Sequence, residues 1–139
     1  MSHSPVAVAS RPRPNPARLS LQADGLLVAA AGVVLLVRAS PLASAMGFAI
    51  AWPLLVLGAG CVLYGAWLLR TATRASSEGV RRLAATIAAG NAVWVVAGAA
   101  ILLVGIPSLT ATGRWVMAAQ AGAVALLAAA QALAVRRTV

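Results

Sequence analysis

The sequence contains no lysine, a single histidine, a single cysteine and only two acids, Asp24 and Glu78. Each shortage removes a class of chemistry. With Cys61 alone, an intrachain disulfide is impossible and no CxxC redox pair exists. His3, the one imidazole, lies in a proline-rich tail, which argues against a His-ligated membrane haem, a zinc site or a nucleophile–base–acid set. Two separated acids cannot build a calcium cage. No glycine-rich phosphate loop follows a strand. Enzymatic activity, a metal and a cofactor are therefore not expected.

What the chain does have is apolar length. Of its 139 residues 62% are hydrophobic and 9% charged, and the mean hydropathy is +0.93. Soluble domains are nearer half apolar and a quarter charged, and so short a soluble chain could not hide that much apolar surface in one core. Runs of Leu, Val and Ala with few charges are read as membrane spans. The expected fold class is all-α: an integral membrane four-helix bundle, arranged as two repeated helical hairpins.

The formal net charge is +9, carried entirely by arginine. The arginines flank apolar runs and do not form a patch interleaved with exposed aromatics. That pattern suits anionic headgroups and topology signals and gives no surface for nucleic acid.

Residues 1–18 hold four of the seven prolines and three arginines, and are expected to form a disordered cytoplasmic tail. The spans are expected at about 19–37, 45–69, 83–104 and 115–135, with a cytoplasmic loop over 70–82. Pro53 then falls in the first half of the second span, where neighbouring helices accommodate a kink. Ala43-Ser44-Ala45 imitates a signal-peptidase site, but the preceding polar region is long and Asp24 intrudes on the apolar core, so the first span reads as an uncleaved anchor. With both termini inside, nine arginines lie on the inner side and two, Arg38 and Arg114, on the outer. That bias points to a bacterial inner membrane with N- and C-termini in the cytoplasm. Trp67 and Trp115 fall at opposite interfaces.

A shift of 66 positions aligns the two halves. Ala31-Gly32 meets Ala97-Gly98, Pro41 meets Pro107, Ser44-Ala45 meets Thr110-Ala111, Gly47 meets Gly113 and Arg70 meets Arg136. The shared corner is a glycine in the helix, a proline in the outer turn, and a Ser or Thr able to cap the next span.

Polar groups inside a membrane are costly and therefore informative. Asp24, Tyr64 and Gln131 are expected at similar shallow depths on the cytoplasmic side, and Asn91 deeper, near the midplane. Together they form a candidate polar site lining a cavity open to the cytoplasm, with Asp24 as the titrating group. The preferred alternative makes Asp24 an interfacial acid near a helix N-terminus, favoured by the helix dipole and paired with Arg18 or Arg82. For Asn91 the preferred reading is an interhelical hydrogen-bonding residue. Gln120 lies nearer the outer face, with no role assigned. Gly32, Gly58, Gly65, Gly98 and Gly122 are the candidate helix-packing residues, and small residues at such density also suit dimerisation.

At Asp24-Gly25, Asn91-x-x-Trp94 and Thr110-x-x-Gly113 the chain resembles small four-span integral membrane proteins of bacteria that carry no assigned activity. The resemblance implies architecture and inner-membrane location. The layout is also similar to DoxX-type proteins and to small multidrug exporters, whose hallmark is an acid deep in the first span; here Asp24 is shallow. The reading is a non-enzymatic multi-pass membrane protein, an accessory or assembly partner. The alternative is a small proton- or cation-coupled transporter. The expected partners are the bilayer with its anionic headgroups and either a second copy or another membrane protein.

Overall fold

The computed structural model describes residues 15–105 and 108–137. Among these the fold is all helical, with five helices: α1 (Pro16–Val37), α2 (Ala39–Met46), α3 (Trp52–Arg74), α4 (Ser77–Val104) and α5 (Ala111–Arg136). Most of the tail expected over 1–18, with His3, Arg11 and Arg13, lies outside the described residues, as does Pro107.

Four helices are long and apolar enough to cross a bilayer, at 22, 23, 28 and 26 residues. At 1.5 Å per residue they reach about 33, 35, 42 and 39 Å, against a hydrocarbon layer of about 30 Å. Large apolar side chains cover their outsides: Leu103 and Val104 are 87% exposed and Leu126 is 75% exposed. Water would penalise such a surface heavily, whereas lipid tails accept it.

Each helix start has a local cause. Asn15 Oδ1 accepts from the backbone of Ala17 (3.0 Å) and Arg18 (3.2 Å), and Pro16 opens α1 where no N–H is needed. Ser76 and Thr110 cap α4 and α5 through Gly79 N (3.2 Å) and Gly113 N (3.0 Å). The expected second span proves shorter at its start. Residues 39–46 form α2, which Gly47 terminates at φ +89°, with Phe48 N donating to Ala43 O at 2.8 Å. Pro53 then sits in the first turn of α3, where its missing N–H costs nothing, so no mid-span kink arises. The long loop expected over 70–82 shrinks to Ala75 and Ser76. The helix α3 runs on to Arg74, and Ser76 nucleates α4 at once.

Arg18 secures this two-residue turn. Its guanidinium donates to the carbonyls of Ala72, Thr73 (3.1 Å) and Ala75 (2.8 Å), satisfying acceptors that the end of α3 leaves open. The first turns of α4 carry their own charges, with Glu78 accepting from Arg81 (2.9 Å) and Arg82 (2.8 Å).

The packing follows the chain order. One hairpin pairs α1 with α3 and the other pairs α4 with α5, while α1 also touches α4 and α5 and so joins the halves. One apolar core, formed by Ala17, Leu21, Leu68, Ala72, Val80 and Ala84, closes the end that carries Arg18 and Arg74. At the opposite end α2 rests on the start of α5, where Thr110 Oγ1 donates to Ala45 O at 2.5 Å.

The antiparallel pair α1–α3 is set by two reciprocal glycine contacts. A Cβ on Gly32 would stand 2.6 Å from Gly58 O, and one on Gly58 would stand 2.9 Å from Gly32 O. Gly65 and Gly25 repeat the arrangement one heptad away, with the Gly65 position 2.5 Å from Gly25 O. Only glycine permits backbones this close. In α4–α5 the contact is looser: Gly98 meets Ala121 at an ordinary 3.7 Å. Among the described residues nothing lies within 4 Å of a Cβ on Gly122, so Gly122 packs against none of the helices described. It lies on the exposed side of α5, and the density of small residues in the sequence carries no information about side.

Candidate functional site

Three of the four candidate polar residues converge. Gln131 Nε2 donates to Asp24 Oδ2 at 2.7 Å, and Asn91 Nδ2 donates to the same oxygen at 3.1 Å. Asn91 Nδ2 also reaches Gln131 Oε1 at 3.1 Å, closing a triangle between α1, α4 and α5. Asp24 is 1% exposed and Gln131 fully buried. The carboxyl is thus enclosed between helices and does not line a cavity open at the basic end. Leu21 and Ala17 on α1, with Leu68, Val80 and Ala84 from α3 and α4, lie between it and that end, and Ile87 and Val135 pack against the same core. The shallow apolar hollow lined by Phe48, Ile50, Pro53 and Ser108 lies at the opposite end of the bundle, away from the three.

Both expected arginine partners of Asp24 are occupied elsewhere, Arg18 by the α3 carbonyls and Arg82 by Glu78. Two neutral amides serve the carboxyl in their place. A buried acid needs its oxygens satisfied more than it needs a counter-ion at any particular place, and directed N–H donors do this at short range.

Tyr64 stays outside the triangle. It is 36% exposed, and its ring lies 5.8 Å from that of Trp67, on the flank of α3. Asn91 stands level with Asp24 and Gln131, since it touches both. It lies about 12 Å beyond Leu83 along α4, Asp24 about 9 Å beyond Arg18, and Gln131 about 8 Å before Arg136.

Two contributors act in roles that the sequence reading did not give them. Gly25 makes the second glycine contact beside Asp24, and Arg18 ties α1 to the end of α3. The first had a visible signal: Gly25 and Gly32 are seven apart, as are Gly58 and Gly65, which places both pairs on one face of their helices. A second signal is the internal offset. Shifting by 66 carries Gly25 and Gly65 onto Asn91 and Gln131. The position that brings backbones together in one hairpin therefore joins two amides in the other.

Chemically, the triangle is a directional fastener between hairpins. Asp24 belongs to the first half of the chain, Asn91 and Gln131 to the second. Four long apolar helices with a buried interhelical polar cluster define the class: a small multi-pass α-helical membrane protein. Comparison with known proteins adds no narrower grouping, because no family model, no curated protein and no solved structure matches the chain.

Proposed function

We propose that this is a non-enzymatic integral membrane protein of the bacterial cytoplasmic membrane. In this reading both ends of the chain lie inside, and the protein acts as an accessory or assembly partner within the bilayer. One observation carries the reading. The in-span acid and two in-span amides satisfy one another behind an apolar seal, so the groups a carrier would offer to a substrate are spent on holding helices together. The orientation rests on charge. Arg18, Arg70, Arg74, Arg81, Arg82, Arg136 and Arg137 share one end of the bundle and Arg38 and Arg114 the other, as the positive-inside rule requires of an inner face. The same arginine-rich end suits anionic headgroups.

The competing reading is a small proton- or cation-coupled transporter built on Asp24, and it is supported by the presence of a carboxyl within a span. Reconstitution separates the two. In vesicles under an imposed pH or sodium gradient, the accessory reading expects no flux above protein-free controls. It also expects native membranes to yield the protein within an assembly larger than one chain. Gradient-driven flux lost in Asp24→Asn would overturn the accessory reading. Accessibility labelling of a cysteine placed at either terminus checks the orientation, and reaction from outside intact cells would overturn it.

A further inference from the structure

The structure uses three in-span polar side chains and leaves another idle. Gln120 lies on α5 about 14 Å from Ala111 and about 8 Å beyond Trp115, inside the apolar layer. Among the described residues it has no hydrogen-bond partner, and it is exposed. Its direction is informative. At 100° per residue Gln120 points within about 20° of Gln131 and of Gly113. Both of these are buried, Gln131 in the polar triangle and Gly113 against Met46 of α2. On the same stripe Met117, Val124 and Leu127 are half-buried. Gln120 is therefore an exposed polar residue on the packing face of α5, between two closed ends of the bundle. A carboxamide facing hydrocarbon leaves two donors and an acceptor unmet, and lipid tails supply neither.

We propose that a second copy of this chain completes the hydrogen bonding of Gln120, in a twofold-symmetric dimer whose axis runs along the membrane normal close to this residue. The occupant follows from symmetry. Two copies inserted in the same orientation meet at the same depth, so a residue near the axis faces itself. A carboxamide is complementary to itself, each copy donating one N–H and accepting one, whereas an arginine or a carboxylate there would repel its own image. The chain already makes an amide-to-amide bond of this kind between Asn91 and Gln131 at 3.1 Å. The neighbours one turn away, Val116 and Ala123, are exposed, and the small side chain at 123 permits close approach. The proposal rests on the partner reading given above and names the partner.

The test follows dimerisation in lipid vesicles by fluorescence energy transfer between labelled copies, titrating the protein-to-lipid ratio. Wild type is expected to dimerise specifically. Gln120→Leu, which leaves the fold intact because the side chain is exposed, should weaken the dimer about five- to tenfold, and Gln120→Asn should retain most of the affinity. In a Cys61→Ala background, Ala123→Cys should form a disulfide between copies and Val56→Cys, on α3, should not. A monomer at all ratios overturns the proposal. So does a dimer whose affinity changes less than twofold in Gln120→Leu, or one that cross-links at 56 and not at 123. Gradient-driven flux through the same vesicles would sink the accessory reading while leaving the dimer in place. A monomer without flux would sink only the dimer.

Discussion

The two hairpins share one register and differ in what occupies it. In α1–α3 the facing positions are Gly25 with Gly65 and Gly32 with Gly58, and the backbones touch. In α4–α5 the positions equivalent to Gly25 and Gly65 are Asn91 and Gln131, whose side chains span a wider gap and hydrogen-bond across it. The first hairpin is held by dispersion at close range, the second by directed polar contacts. Without water there is no hydrophobic force between spans, so these are the two means available. The wider hairpin gains something the tight one lacks. Its amides have room to capture Asp24 from α1, which fastens the halves together.

The contrast predicts its own largest effect at the glycines. Gly65→Ala places a methyl 2.5 Å from the Gly25 carbonyl, a backbone atom that cannot rotate away. The helices must part along their length, and a loss of about 3 kcal/mol is expected. Unfolding by dodecyl sulfate in mixed micelles, followed by circular dichroism, measures it. A change below about 1 kcal/mol would mean that α1 and α3 do not depend on this contact.

Next come the polar residues. Asp24→Ala leaves the buried Gln131 amide without its acceptor and Asn91 with one of its two, and should cost about 2 kcal/mol in the same assay. Replacing Asp24, Asn91 and Gln131 together by leucine should cost less than that single change, since no polar group is then stranded. If the triple variant is the worse of the two, the triangle contributes more than mutual satisfaction, and a role in binding regains ground. A double-mutant cycle between Asn91 and Gln131 should return a coupling of about 0.6–1 kcal/mol.

How much of this was legible in the sequence follows from the same physics. The helices and their number were readable because a span must be apolar along its length, and Leu19–Val37 or Leu83–Val104 can hardly be read otherwise. The ends were less so. A single capping residue, Ser76, converts an expected loop into helix, and Gly47 ends a separate helix, α2, across the expected outer loop, so that the second span starts at Trp52 and not near 45. The inward faces were least legible. In a soluble bundle the apolar stripe marks the core, but here lipid makes the outside as apolar as the inside, so periodicity does not separate Gly65, in backbone contact, from Gly122, in open space. That Asn91 stands level with Asp24 and Gln131 was hidden for a related reason: position counted along one helix does not fix its height against another. What the residues did reveal was company. Asp24, Asn91 and Gln131 were three polar side chains that hydrocarbon could not satisfy, and they found one another. Tyr64, whose hydroxyl tolerates an interface, did not join them.

A smaller effect tests the outer corner. Thr110 caps α5 through Gly113 N and also donates to Ala45 O, linking the halves at the end opposite the triangle. Thr110→Val keeps the shape and removes both bonds, and should cost about 1 kcal/mol. Thr110→Ser should recover most of that loss. If serine fails where threonine succeeds, the methyl group, which stands 3.1 Å from a Cβ position on Gly47, matters more than the hydroxyl.

The smallest expected effect is the most discriminating. Gly122→Ala adds a methyl where, among the described residues, nothing lies within 4 Å. Within one chain it should change stability by no more than about 0.5 kcal/mol, and in the stabilising direction, because alanine holds a helix better than glycine does. The same substitution that breaks α1–α3 at Gly65 should therefore pass unnoticed in α5. Measured in monomeric micelles, a clear loss at Gly122 would mean that α5 is rotated and that its polar stripe is misplaced. The positions of Gln131 and Gln120 would then be wrong together, because the helix is rigid and one rotation moves both. A loss that appears only in vesicles at high protein-to-lipid ratio would instead place Gly122 in a contact between copies. The dimer axis would then move from the Gln120 stripe to the opposite side of the same helix.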